Sequence, residues 1–485
     1  MASTNERGTR IAASRGRNPV FSARRRAWQI VIAMLHCIAL SATPASAATK
    51  TQEGPAADAA LARAIKHIAH PLTGAPADYD RLLRKIGNAR IVLLGEDTHG
   101  THEFYVERAR ITRRLIAELG FAGVVIEADW SEAAGLHAFL TETGDPADTD
   151  LALRAFDRFP RWMWRNTDFR EFVTWLRQFN LQRGAGAHPV AIHGMDLYEV
   201  SPSIAAVIGY LEGTNPEAAA RARDGYVCLD AGDDERQGDG AAPARWPDID
   251  CGQPVQDQLT ELASGAFLHE PDVVSIADSA YLHALQSARV VRNAEEYFRA
   301  LLHQPESSWN LRDSHMASSV DLLLAHLDAV TCARSRLVIW AHNAHVGDAR
   351  ATARGDAGGL NLGQLLRERY PGDAISVGFT TATGVVRAAT DWGGPDRSKR
   401  LRQPIPGSHA ALLHATGLRR FYVILDDSQS VRATLGRARP QRGIGVRYLP
   451  ALELAGHYYN ARLSGQFDAL VHIDRTTALQ PLPRR

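Results

Sequence analysis

Residues 91–104 read IVLLGEDTHGTHEF. Four aliphatic residues run into Gly95, and Glu96, His99, His102 and Glu103 then crowd the positions that follow. A short unbroken apolar run closed by glycine is the pattern of a strand covered on both faces. The titratable residues begin where that strand stops. In an open parallel sheet the carboxyl ends of the strands face a common crevice, and active side chains collect there. The stretch therefore predicts an α/β fold and a place in it. Its crowding has three readings: a metal site, an acid/base site, or a polar helix start.

Working outward, similar apolar runs fall at 89–95, 122–128, 189–194, 336–342, 374–380, 420–426 and 468–474. Helical patterns lie between them at roughly 56–70, 102–119, 165–182, 273–303 and 310–331. Alternation of this kind implies an α/β fold, a mostly parallel sheet with flanking helices. The long helices concentrate between the third and fourth strands, which predicts an inserted helical lid or subdomain over roughly 200–331. Residues 56–485 read as one catalytic unit, preceded by a flexible junction at 48–55.

Four strand ends carry chemistry. The first delivers Glu96, Thr98 and His99, the second Glu127, the third His193 and Asp196, and the fourth His342 and His345. Each alone is ordinary; together they predict one site. Thr101 is a plausible N-cap for the following helix, with Glu103 in its first turn. The apolar stripe of that helix runs Phe104, Ile111, Leu115, and Arg108 lies on it. A guanidinium on a buried stripe must snorkel out or find a carboxylate. It leans toward the helix start, so a pair with Glu96 or Glu127 is expected. His102 and Glu103 read as structural.

Two glutamates and three histidines also suit zinc or manganese. A cation there would be repelled by Arg108, and neither H-E-x-x-H nor C-x-x-C occurs. No metal and no cofactor is expected. G-x-S-x-G, G-x-x-x-x-G-K-[ST] and G-x-G-x-x-G are all missing. What remains is water activated by a general base, and an imidazole titrates near neutrality. His99 is the candidate base. Glu96 or Glu127 would orient it or the water, and His342 or His345 would steady an oxyanion or protonate a leaving alkoxide. Trp130, Trp162, Trp164 and Tyr198, with His193 and Asp196, are candidates for the substrate wall. For each tryptophan, core packing weighs equally, and of Trp162 and Trp164 one can pack while the other faces a cleft.

The formal net charge of +1 hides a split, because residues 1–47 hold seven arginines against Glu6 and leave the rest at about −5. A mildly acidic body gives no support for nucleic-acid binding. Arg24–Arg26 precede the apolar run AWQIVIAMLHCIAL (27–40) and the small residues SATPASAA. This is the order of a secretory signal peptide, with cleavage expected after Ala47 and no stable membrane insertion afterwards. In the oxidising compartment that export implies, Cys228 and Cys251 would form a disulfide across a Gly- and Asp-rich excursion. Cys332, just before a predicted strand, reads as an inert buried thiol.

GEDTHGTHEF (95–104), Arg108, GFAGVVIEADW (120–130) and WAHNAH (340–345) resemble the erythromycin esterase family, which includes succinoglycan-biosynthesis-like members. FPRWMWRN (159–166), WLRQFN (175–180), AIHGMDLY (191–198), NLRDSHMA (310–317), DWGGP (391–395) and RGIGVRYLPALELAGHYY (442–459) extend the likeness over most of 56–485. The resemblance implies an α/β core with helical additions and a carboxylic-ester hydrolase, in some members opening macrolide lactones without a metal. It implies a base at His99, with Glu96, Arg108, Glu127, His342 and His345 at the matching positions. The chain departs from the pattern at His409, where an acid is usual after the Gly-Ser turn.

Overall fold

The computed structural model describes residues 54–141, 149–184, 187–229, 251–267 and 275–483. The signal-like segment and most of the 48–55 junction lie outside the described residues. So do residues 230–250, most of the excursion between Cys228 and Cys251. Those two sulfurs are bonded to each other, with their Cα atoms 6.0 Å apart.

Eight strands carry the main sheet: β1 (Ile91–Leu94), β2 (Gly123–Asp129), β3 (Ala191–Asp196), β4 (Leu337–Trp340), β5 (Ala374–Ala389), β6 (Asp396–Arg400), β7 (Arg420–Ile424) and β8 (Ala469–Thr476). With the short strand His70–Pro71 at the edge beside β7, the order runs β7-β8-β5-β1-β4-β2-β3, and β6 pairs with β5. The pairs from β8 to β3 are parallel; β7 and β6 pair antiparallel. The fold is thus α/β with a mostly parallel sheet. All seven strands read from the sequence form. β5 runs on past residue 380 because its second half leaves the parallel sheet and makes the hairpin with β6.

β1 to β4 are buried at every position. Side chains alternate between two cores, Ile91 and Leu93 facing one and Val92 and Leu94 the other. The second core is closed by α2 (His102–Leu119), α3 (Trp130–Thr141) and α4 (Thr167–Leu181), while α1 (Pro55–Ile68) and Trp130 at the head of α3 pack on the first. Between β3 and β4 the chain makes α5 (Val200–Thr214), α6 (Pro216–Tyr226), α7 (Gly252–Ser264), α8 (Ser279–His303) and α9 (Pro305–Thr331). These pack on the first core. The helices α5 to α7 and α3 were not located in the sequence. No helix among the described residues is long and apolar enough to cross a membrane.

Register sets the site. Leu94 and Ile126 both stand beside Trp340, so β1, β2 and β4 end level. The β2–β3 register shifts between Ile126 and Asp129, and Glu127 sits in that irregularity, a device that re-aims a side chain. Gly194 permits it, because a Cβ there would lie 2.3 Å from the Asp129 carbonyl oxygen.

Thr101 stands at the N-cap of α2 as expected, but its hydroxyl bonds Thr98 rather than a backbone N–H of the helix. One local expectation fails. Cys332 is exposed and free, since it ends α9 in a left-handed turn (φ 50°) on the surface before β4 begins.

Candidate active site

The loop after β1 is clamped to the one after β4. Asn343 donates its backbone N–H to the Glu96 carbonyl (2.7 Å) and its Nδ2 to the Phe379 carbonyl (2.7 Å). Its side chain passes over Gly95, where a Cβ would stand 2.0 Å from Asn343 Oδ1. Glycine is therefore required at the end of β1, and the clamp fixes Glu96 and His99 against His342 and His345.

One arm of the site is local. Glu96 Oε1 lies 2.8 Å from His99 Nδ1, and Glu96 Oε2 lies 2.8 Å from Arg108 Nη2. Arg108 is fully buried, with its guanidinium 4.3 Å from the Tyr105 ring and 4.9 Å from the Trp340 ring. Of the two carboxylates expected for Arg108, it takes Glu96. Because Nδ1 of His99 is engaged, Nε2 is the nitrogen free for chemistry. Gly445 and the Ile444 carbonyl, which accepts the His99 N–H at 3.2 Å, close over this arm.

The other arm is assembled from distant elements. Glu127 Oε2 accepts the His342 backbone N–H (2.8 Å). Glu127 Oε1 meets Arg312 Nη2 at 3.0 Å and His345 Nε2 at 3.3 Å. Arg312 also clasps Asp196 through Nε (2.9 Å) and Nη2 (2.6 Å), and His345 Nδ1 lies 2.9 Å from Asp313. Burial opposes every charge here, so each must be held by its neighbours. Burial alone would raise Glu127, but His345, His99 and Arg312 hold it well below the usual carboxylate range. Burial likewise opposes ionised Asp196, and Arg312 outweighs it. Burial would neutralise His345, yet Asp313 and Glu127 lift its pKa to about 9. Arg312 Nη1 is 3.0 Å from His345 Nε2, donor facing donor, and Glu127 between the two cations offsets that contact.

His342 differs from His345. Burial, reinforced by nearby His99, pushes its pKa down to about 3, so its ring is neutral. Its Nδ1 accepts the Ala344 N–H at 3.2 Å, which places the ring proton on Nε2. That Nε2 is buried with no side-chain partner; the Asp97 backbone lies near it, too poorly placed to complete a hydrogen bond. The His99 and His342 rings are 4.8 Å apart. A free base nitrogen and an unpaired N–H donor thus stand side by side.

Arg312 and Asp313 lie in the segment NLRDSHMA but are not among the site residues the sequence singles out. Asp313 shares a buried stripe with Met316, Ala317 and Val320, the same signal that singled out Arg108. The predicted wall residues divide. Asp196 joins the site through Arg312, and Tyr198 lies under both Arg312 and Arg158, their guanidinium carbons 5.3 and 4.8 Å from its ring. Trp162 and Trp164 are both in the core; Trp164 bonds the Glu127 carbonyl through Nε1 (3.1 Å) and backs the site rather than facing a cleft. Trp130 stacks with His193 and His283, and His193 packs on His137. His102 pairs with Asp168, Glu103 holds Thr477, and buried His409 bonds the Ala461 carbonyl.

Among the described residues, one group of three has ligand atoms close enough to share a cation: Asp129, Glu132 and Glu199, beside the site. Arg158 already reaches Asp129 there (2.6 Å). Glu96 and Glu127 are committed to arginines.

Comparison with known proteins gives one family: the model described as Erythromycin esterase matches residues 116–476. An erythromycin esterase type II from Escherichia coli is 22% identical over 404 residues, 76% of this chain and 89% of that one. A putative hydrolase, YbfO, from Bacillus subtilis is 22% identical over 464 residues, 92% of this chain and 96% of its own length. A Bacillus cereus protein of known structure superposes with a TM-score of 0.72 at 20% identity, covering 88% of this chain and 99% of that one.

Proposed function

Because the chain belongs to the erythromycin esterase family, and with it to a group of hydrolases, we propose that it cleaves carboxylic esters with water activated by His99. The observation that carries this is the free His99 Nε2 beside the unpaired His342 Nε2–H. His99 Nε2 takes a proton from water, and the hydroxide adds to the ester carbonyl carbon. The carbonyl oxygen becomes an oxyanion and accepts a bond from His342 Nε2–H. Collapse breaks the C–O bond, and the alkoxide leaves with the proton held on His99. No covalent intermediate forms. Glu96 fixes the His99 tautomer, and Arg108 holds Glu96 in place from its other oxygen. Glu127, with both oxygens occupied, positions His342. His345, with both nitrogens engaged, is a fixed charge rather than the proton donor to the leaving group.

A fourteen-membered macrolide lactone is the sharp version of the substrate, and the relative from Escherichia coli is named an erythromycin esterase. The basic and apolar N-terminal order, with the Cys228–Cys251 bond, supports work outside the cytoplasm. The test is incubation with a panel of macrolides and simple carboxylic esters, read by mass spectrometry. Gain of one water by a fourteen-membered lactone supports the sharp version. Gain by simple esters alone leaves an esterase of other specificity, and no gain by any compound sinks the reading.

A further inference from the structure

Trp309, on the first turns of α9, lies flat against His345, with ring centroids 4.6 Å apart and planes within 7°. Its own position is fixed twice. Nε1 donates to the Leu360 carbonyl at 2.9 Å, and the Arg354 guanidinium sits over the ring, 4.0 Å from its centroid. The neighbouring residues stitch the same stretch of α9 to the loop before α11 (Leu362–Arg369; the intervening α10 is Asn343–Val346). Asn310 accepts the Leu360 N–H at 3.0 Å, and Asp313 accepts the Leu362 N–H at 2.8 Å. The indole is therefore a rigid surface, and it is the surface on which His345 rests.

An aromatic face attracts a cation, most strongly when water is excluded, and indole does so best. A neutral imidazole gains far less from that contact. We propose that Trp309 is a positioning residue that keeps His345 charged and in plane, so that Glu127 stays ionised and holds the His342 backbone in register. The inference rests on the reading of this cluster as the active site. The groups facing His345 are Asp313 and Arg312 from α9, Glu127 from β2, and His342 from its own turn, with Asp196 from β3 joined through Arg312. Asp313 and Glu127 favour its charge, Arg312 and, across the indole, Arg354 oppose it, and His342 is itself neutral; Trp309 adds to the favourable side.

The test is NMR titration of side-chain-labelled histidine in the full protein, with His345 assigned by its loss in His345→Gln. In the wild type the parallel indole displaces the His345 ring protons upfield. Trp309→Leu lowers the His345 midpoint by about one pH unit, and Trp309→Phe restores most of it. On an accepted ester, Trp309→Leu moves the alkaline limb of the kcat–pH profile down by about one unit, so that kcat changes little near pH 7 and falls by up to about tenfold at alkaline pH, with KM nearly unchanged. An unchanged midpoint in folded Trp309→Leu overturns the proposal. If that variant does not fold, wild-type ring protons without the upfield displacement overturn it. A lowered midpoint in a protein that hydrolyses no ester supports the role of Trp309 while sinking the esterase reading.

Discussion

The two arms of the site hold similar groups in opposite ways. Glu96, His99 and Arg108 come from one loop and the helix it enters, with one carboxylate, one cation and one imidazole. Glu127, Asp196, Arg312, Asp313 and His345 come from four separate elements and share three carboxylates between two cations. The local arm leaves a ring nitrogen unused. The assembled arm leaves none, and its output is a fixed backbone at His342. The difference teaches that burial of charge serves two ends here: in one arm it orients a base, in the other it builds a rigid wall beside that base.

The sharpest break of the comparison is His99→Ala. Its kcat on an accepted ester should fall about a thousandfold while thermal stability stays near wild type. A tenfold loss would place the base elsewhere. Stability tests both arms next. Arg108→Met leaves Glu96 buried with no other cation, and urea unfolding should show a loss of about 3–5 kcal/mol. Arg312→Met takes the ion pair from buried Asp196 and one of two cations from Glu127, so its loss should be at least as large; a clearly smaller loss would mean the assembled arm does not depend on its arginine.

Asp97, between Glu96 and His99, sharpens the local arm by pH. Burial pushes its pKa up to about 8 although Arg442 opposes the shift. The unfolded chain releases this proton near pH 4 and the folded protein only near pH 8, so stability falls across that window. Asp97→Asn has no proton to release. Its gain over wild type should be larger at pH 8 than at pH 5, by a few kcal/mol at about 1.4 per pKa unit. A gain independent of pH would refute buried protonation. The smallest effect expected is none: exhaustive chelation and dialysis should leave hydrolysis unchanged, since both glutamates are committed to arginines. Loss restored by zinc or manganese would return the metal reading.

How much was legible follows the same division. β1 to β4 are short runs buried on both faces, so continuous hydrophobicity marked them. Arg108 could be placed because its stripe and its carboxylate lie within one local stretch. Arg312 and Asp313 could not be joined to Glu127 because only the sheet register and the packing of α9 bring them together. Asp313 was within reach through its stripe; Arg312, on a neighbouring face of α9 and largely buried only through its contacts with Glu127 and Asp196, was not. The tryptophans misled for a physical reason: a large aromatic after a strand suits a cleft and a core equally. His193 took the core-facing alternation of β3, while Asp196, at its end, took the site-facing position.

The central claim is that His99 activates water beside a neutral His342 donor. Single-turnover hydrolysis of an accepted ester tests it most directly, comparing wild type, His99→Ala, His342→Gln and the double variant, with intact-protein mass recorded through the reaction. A large loss is expected in each single variant, little further loss in the double, and no covalent adduct at any time. A His99→Ala protein that retains wild-type turnover, or an acyl-enzyme mass in the wild type, would contradict it.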